Sequence, residues 1–319
     1  MKTDTPTKAR EIAAAYGLRL LALAVATAWQ AAPALAAERA VATVEHVQAP
    51  AWLIRQGVER PLAPGMALQS GDSLRTGEEA RAYVVLADGS RIKLAESARS
   101  TLYSRSLNPA KFFRGALDIV AGAFRYTTAR LQRQRPDLAI RVGTATIGIR
   151  GTDLWGKTDR EGDLVALLDG QIDVTHAGTT TELTRPLSYF DAPRGQQAAV
   201  KDLDMATLKT LARQTEIEPG DGATQVQGPW QLRIADAPTQ GEALELYDRL
   251  RDAGYVVRIR PYDPRPRPKA DGAEASSPAG SARNWRYRVL APGFANEREA
   301  NAAALRLKKR LGLTAVAMR

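Results

Sequence analysis

The sequence predicts two domains of different class, a mostly β domain followed by a smaller α+β one, and three observations carry that reading. At 319 residues, with 44% hydrophobic and 25% charged, the chain has the length of about two ordinary globular domains. From residue 37 to residue 195, short apolar runs alternate with turn residues and few helical patterns intervene. After residue 229 a strand–helix–strand pattern occurs twice, which marks an internal repeat.

Ahead of both domains, residues 1–36 read as an export signal. Lys2, Lys8 and Arg10 make the segment positive, Leu18 to Trp29 is apolar apart from Arg19, and Ala34-Leu-Ala36 offers a small-x-small cleavage site. The apolar run falls short of the ~20 residues a membrane span needs. Cleavage after Ala36 and release into the periplasm is the expectation, with membrane attachment only if the segment is kept. The net charge is +10; losing residues 1–36 removes four Lys/Arg and two Asp/Glu and leaves +8. In a cytoplasm that surplus would suggest nucleic acid. Outside it, the polyanions on offer are cell wall, lipid head groups and lipopolysaccharide, so no nucleic-acid partner is expected. There is no cysteine, which excludes disulfides, cysteine metal sites, thiol nucleophiles and a lipidated N-terminal cysteine.

Residues 37–195 supply candidate strands at Ala42–Val47, Ala51–Arg55, Leu74–Arg75, Ala82–Leu86, Arg91–Leu94, Ala116–Val120 and Ala123–Thr127. Asp88-Gly89 between Ala82–Leu86 and Arg91–Leu94 signals a hairpin, because Asp-Gly suits the positive φ of tight turns. Asp169-Gly170 between Leu164–Leu168 and Gln171–Val174 predicts a second, and Gly115–Ile119 a looser third. A sandwich, jelly roll or short β-solenoid follows. In Thr144–Trp155, Ile147 and Ile149 share one strand face, and Gly148 and Gly151 mark a bulge or a close backbone approach. Gly143-x4-Gly148 lacks the Lys-Ser/Thr of a phosphate loop, since Ile149-Arg150 follow.

Three signatures in order give this region a resemblance to the FecR domain. They are Gly71-Asp-Ser-Leu-Arg-Thr-Gly77, the Ala82–Leu94 hairpin, and Ile147-Gly-Ile-Arg-Gly-Thr-Asp153. The resemblance implies an envelope β-module. Sigma-regulating members carry a cytosolic helical segment and a span upstream, where this sequence shows only its export-like segment, so the iron-signalling role is not the leading expectation. Catalysis is not expected either. His46 and His176 stand in different strands without metal-ligand spacing, no Gly-x-Ser-x-Gly elbow occurs, and the pairs Asp153/Asp159 and Asp163/Asp169 read as turn and loop charges rather than glycosidase carboxylates. No catalytic residue, cofactor or metal is assigned.

Residues 196–228 read as a helical spacer and linker. Val200, Leu203, Leu208 and Leu211 suggest a short helix capped by Asp202 or Asp204, and Glu218–Gly228 has polar, glycine-rich linker composition with a boundary near Pro219. In residues 229–319, Trp230–Ile234 alternates as a strand and Thr239-Gln-Gly-Glu242 is a capping box. Ala243, Leu244, Tyr247 and Leu250 make a helix stripe, Gly254 ends it, and Tyr255–Ile259 is the next strand. The second copy runs from strand Trp285–Leu290 through cap Asn296 and helix positions Ala300, Ala303, Ala304, Leu307 and Leu311 to Gly312 and strand Leu313–Met318. Pro261–Arg283 has no apolar stripe and reads as a disordered loop. Two such units make a four-stranded antiparallel sheet with both helices on one face, a ferredoxin-like split βαβ fold.

Trp230-Gln-Leu232, Tyr287-Arg-Val289, Pro292-Gly-Phe294 and the helix starts Glu242-Ala243 and Glu299-Ala300 resemble the SPOR domain. That resemblance implies binding to peptidoglycan glycan strands stripped of their peptides, often at the division site. Two features depart from it: Arg233-Ile-Ala-Asp236 replaces a small Gly/Ser segment, and Pro292-Gly293 reverses the usual order. With Leu232, Ile234 and Val289 turned to the helices, Gln231, Arg233, Arg286 and Arg288 fall on the open face as donors to sugar hydroxyls and carboxylates. Trp285 and Tyr287, of opposite parity, are expected inside. An RNA-recognition fold would want aromatics where Arg286 and Arg288 stand. The expectation is an exported, non-catalytic envelope protein holding peptidoglycan and displaying a β-domain for a ligand or protein. The alternative is a periplasmic signalling component that senses an envelope partner through that domain.

Overall fold

The computed structural model describes residues 40–105, 114–129, 137–264 and 284–319. The expected export segment, and all of the expected loop beyond residue 264, lie outside the described residues.

The first half is built from β1 (Ala42–Gln48), β2 (Ala51–Arg55), β3 (Val58–Pro61), β4 (Ala67–Leu68), β5 (Asp72–Thr76), β6 (Arg81–Leu86), β7 (Arg91–Leu94), β8 (Arg99–Ser104), β9 (Arg114–Thr127), β10 (Asp137–Val142), β11 (Ala145–Ile149), β12 (Asp153–Thr158), β13 (Gly162–Asp169), β14 (Ile172–His176), β15 (Thr179–Leu183), β16 (Ser188–Pro193) and β17 (Ala199–Asp202). They pair into two sheets. One runs β4-β1-β6-β7-β9-β12-β13-β16-β17. The other runs β3-β2-β5-β8-β9-β10-β11-β14-β15. Among the described residues, only β9 and β10 pair in parallel. Alternating residues such as Val44, Val84, Phe124 and Leu154 from one sheet meet Leu53, Leu117, Ile140 and Ile147 from the other in one apolar core.

β9 belongs to both sheets. Its first part pairs with β8 and β10, its last part with β7 and β12. Gly122 makes the change of sheet possible. Its φ is +82°, and a Cβ there would stand 2.6 Å from the Ala98 Cα. The loose turn expected at Gly115–Ile119 is therefore absent; those residues lie in the straight part of β9. The hairpin at Asp88-Gly89 forms as expected between β6 and β7. The one at Asp169-Gly170 does not. β13 pairs with β12 and β16, whereas β14 pairs with β11 and β15, so Asp169-Gly170 is a corner between sheets. Alternation in two flanking strands does not say whether they share a sheet. Val200, expected on a helix, sits instead on edge strand β17 and is 46% exposed.

Next come α1 (Met205–Thr215), β18 (Thr224–Gln225), β19 (Trp230–Ala237), α2 (Gln240–Asp252), β20 (Arg258–Tyr262), β21 (Arg286–Phe294), α3 (Glu297–Leu311) and β22 (Val316–Met318). Asp204 caps α1 by accepting from the Ala206 and Thr207 amides. Leu203 and Leu211 then cover Trp155 and Ala166 on the outside of the first sheet. The last four strands order as β22-β19-β21-β20, all antiparallel, with Ala243 and Leu250 of α2 and Ala300 and Leu307 of α3 in its cores. On α2 the stripe runs through Leu246, and Leu244, expected inside, is 44% exposed. β20 starts three residues later than expected and takes in Pro261 and Tyr262. β21 runs on through Pro292–Phe294, past the strand end expected at Leu290.

The described residues from 40 to 319 form one compact unit. The glycine-rich stretch after Pro219 is held at both sides: β18 pairs with β1 and, at Thr224, with Phe294 of β21. Glu299 accepts from the Gly220 and Gly222 amides at 2.5 and 2.9 Å. Arg306 donates to the Asp221 carbonyl at 3.3 Å and the Ala49 carbonyl at 3.2 Å, and also to the Glu79 carbonyl. At the end of α2, a Cβ on Gly254 would lie 2.6 Å from the Trp52 ring.

Candidate functional site

The register of the C-terminal sheet decides which side chains share its open face. Leu232 pairs with Ala291 and Ala235 with Val289, all turned towards the helices. Their neighbours in the pleat point the other way. Gln231 stands beside Pro292 and Met318, Arg233 beside Leu290 and Val316, and Asp236 beside Arg288. A bulge between Arg233 and Ala235 shifts the parity, so Asp236 joins the open face and Ile234 stays with the core. β20 adds Arg258, Arg260 and Tyr262, opposite Leu290, Arg288 and Arg286.

All four residues singled out from the sequence thus lie together. Gln231 Oε1 accepts from Arg258 at 2.7 Å. Arg288 Nε donates to Asp236 at 3.1 Å, and its guanidinium lies 3.8 Å from the centre of the Tyr262 ring. Arg233 approaches the other Asp236 oxygen at 3.5 Å. Sequence reasoning missed Arg260 and Tyr262 because the strand was closed at Ile259, and it kept Arg258 within that strand without placing it on the open face. The alternation Arg258-x-Arg260-x-Tyr262 was the available signal. Tyr287 packs in the core as expected, but Trp285 precedes β21 and is 41% exposed.

In the β-domain, the signature Ile147–Asp153 builds a corner. Ala145, Ile147 and Ile149 are buried in alternation. Thr152 Oγ1 donates to the Gln171 carbonyl at 2.9 Å and accepts from the Arg150 amide, while its own amide donates to Thr128 Oγ1. Arg150 pairs with Asp173 at 2.9 Å. Gly151, with φ +64°, has nothing within 4 Å of its would-be Cβ; it serves a turn. Its carbonyl instead fills the space beside Gly170, where a Cβ would come within 2.1 Å.

Of the four aspartates weighed as acid–base pairs, Asp153, Asp159 and Asp163 have structural partners. Asp153 receives two hydrogen bonds from Arg125 at 2.9 and 2.7 Å. Asp159 accepts from the Glu161 amide and pairs with Lys157. Asp163 is buried and accepts from the Thr144 amide and hydroxyl at 2.7 and 2.6 Å. Asp169 ends β13 opposite Asp153. His46 stacks edge-on to Tyr83 and His176 lies near Phe190. Among the described residues, no group of His, Asp and Glu is arranged to hold a metal.

A charged network ties α1 down. Glu216, its C-terminal cap, accepts from Lys93 at 2.5 Å, Arg125 at 2.9 Å and Tyr83 at 3.1 Å. Burial would raise its pKa, but the Lys93 ammonium, the Tyr83 hydroxyl and the Arg125 guanidinium outweigh it and hold the carboxyl below its usual range. The outer face of the second sheet stays open, with Thr146, Thr175 and Thr180 exposed in one cross-strand row.

The region from β5 to β14 can be compared with known proteins. Residues 72–173 match the family model described as FecR protein. The matched stretch takes in both Asp-Gly turns and the 147–153 corner, and covers about a third of the chain. No curated protein matches the chain. Two crystal structures of a proposed anti-sigma factor from Parabacteroides distasonis ATCC 8503 are loosely similar. One is 14% identical with a TM-score of 0.38, over 57% of this chain and 75% of the other. The second is 12% identical with a TM-score of 0.37, over 77% and 98%.

Proposed function

We propose that the chain is a non-catalytic signalling or regulatory component of the periplasm, whose FecR domain engages an envelope protein. The family match at residues 72–173 carries this reading. Two features of the site support it. The signature residues are spent on holding a corner, and Asp153, Asp159 and Asp163 are spent on ion pairs and backbone hydrogen bonds. What the FecR domain leaves available is surface, in particular the flat hydroxyl-lined face of the second sheet. Transcript profiling of cells with and without the chain tests the proposal. A confined set of genes should respond, and full-length chain should restore it while a chain lacking residues 1–36 should not. An unchanged profile contradicts the role.

The open C-terminal face favours a second reading, in which Gln231, Arg233, Arg286 and Arg288 of a SPOR-like, ferredoxin-like unit hold peptidoglycan glycan strands. Co-sedimentation with purified, peptide-stripped sacculi tests it. Full-length chain should pellet, and Gln231→Ala with Arg288→Ala should stay in solution while keeping its circular dichroism.

A further inference from the structure

A groove on the β-domain carries positive charge that the fold leaves unused. It lies where β9 leaves the second sheet for the first, and about 880 Å³ of space opens there. Ala95, Ala121, Gly122 and Ala123 line its floor with nothing larger than a methyl group. Ser100 pairs with Ile119 and Arg99 with Ala121, so Val120 between them bulges from the ladder, and its side chain is 62% exposed into the groove. Two residues before it, Asp118 stands in one cross-strand row with Arg141, Thr146, Thr175 and Thr180, so the groove continues the hydroxyl-lined face. Lys157, Arg160 and Arg194 face Glu96 and Asp159 around it. Both carboxylates are occupied. Glu96 accepts from the Glu79 amide at 2.7 Å. Asp159 accepts from the Glu161 and Gly162 amides at 2.8 and 3.3 Å and pairs with Lys157. Arg194 donates to the neutral Asp159 carbonyl at 3.0 and 3.4 Å. Among the described residues, Arg160 and Arg194 have no ion-pair partner.

We infer that this groove takes an extended acidic segment of a protein partner, in which small and carboxylate side chains alternate. Alternate residues of an extended chain point to opposite sides. The small ones fit the methyl-lined floor, and the carboxylates meet the paired N–H donors of exposed Arg160 and Arg194. Ser97 and Gln214 also line the groove and offer hydroxyl and amide groups to the segment's backbone. Among the described residues no aromatic ring lines it, so a sugar or a base has nothing to stack on. A membrane surface needs a broad apolar face, and Val120 is a single side chain. A second copy of this chain, with a net charge of +10, is repelled. Arg194 and Gln214 lie outside residues 72–173, so the family match does not define the groove. The inference deepens the signalling reading and rests on it for the kind of partner.

The test measures binding of the full chain to labelled octapeptides by fluorescence anisotropy. One alternates alanine with glutamate, and its control alternates alanine with glutamine. The glutamate peptide should bind about tenfold more tightly than the control, with an advantage that shrinks between ~50 and ~200 mM salt. R160Q/R194Q should bind it about tenfold more weakly. V120E sets a like charge beside the segment and should weaken binding about as much. These side chains are exposed, so both variants should keep their circular dichroism. R60Q/R105Q removes the same charge from exposed positions elsewhere on the β-domain and should change affinity less than about twofold. Equal binding of the two peptides, or equal loss in both double variants, would overturn the inference. So would tighter binding of phosphatidylglycerol vesicles through Arg160 and Arg194, which would make the groove a membrane site. Transcript profiling separates the inference from the reading beneath it. Peptide binding with this signature but an unchanged profile removes the signalling role and keeps the groove. A profile that responds, with no peptide binding, keeps the role and removes the groove.

Discussion

At the scale of single residues, Glu216 shows how this chain uses its charges. One carboxylate at the end of α1 gathers Lys93, Arg125 and Tyr83 from the first sheet. Glu216→Gln keeps the shape and removes the charge. It should cost about 1–3 kcal/mol, the range for hydrogen bonds to charged groups that are partly buried. Because the folded carboxyl sits below its ordinary value of 4.5, its contribution is fully present above that pH. It is lost as pH falls through the lower folded value. Urea titrations at neutral pH and near pH 4 should therefore show the wild type and variant converging in acid; a constant difference would refute the assignment. None of this was legible in the sequence, since Glu216 lies 91 residues from Arg125 and 123 from Lys93. Periodicity finds faces, not partners from distant strands.

Individual elements were more legible where a local signal sufficed. The Asp88-Gly89 hairpin, the Thr239 and Asn296 caps and the αL stop at Gly312 all form. Asp169-Gly170 shows where such signals fail, because the same dipeptide serves a corner when the next strand joins the other sheet. The two turns should differ on substitution. Gly170→Ala drives a Cβ to 2.1 Å from the Gly151 carbonyl and should cost more than ~3 kcal/mol. Gly89→Ala meets only the Ala129 methyl at 3.4 Å and should cost ~1 kcal/mol through its positive φ. Chemical denaturation that ranked them equally would contradict the corner. On the C-terminal sheet, closing the strand at Ile259 hid Arg260 and Tyr262, for Pro261 reads as a strand breaker although edge strands accept it.

At the scale of the molecule, the sequence suggested two domains joined by a helical spacer and linker, and the described residues from 40 on form one body. Its composition made Glu218–Gly228 look free. What holds it is Glu299 on the Gly220 and Gly222 amides, with Arg306 bridging three backbone carbonyls. Removing Arg306 leaves those three carbonyls without this donor. Two outcomes follow. The full chain should unfold in one thermal transition, and Arg306→Met should lower that whole transition; two independent melts would contradict a single body. Glu299→Ala should speed proteolysis between residues 218 and 228 with little change in circular dichroism, because only the clamp is lost.

Photo-crosslinking in living cells tests the central claim most directly, that the FecR domain is the partner-binding surface of an envelope component. A photoreactive side chain would replace exposed Thr146 or Thr175 in the full chain, with exposed Arg60 on edge strand β3 as control. The account predicts one discrete adduct with an envelope protein from Thr146 and Thr175 and none from Arg60. Equal adducts from all three positions, or none from either threonine, would contradict it.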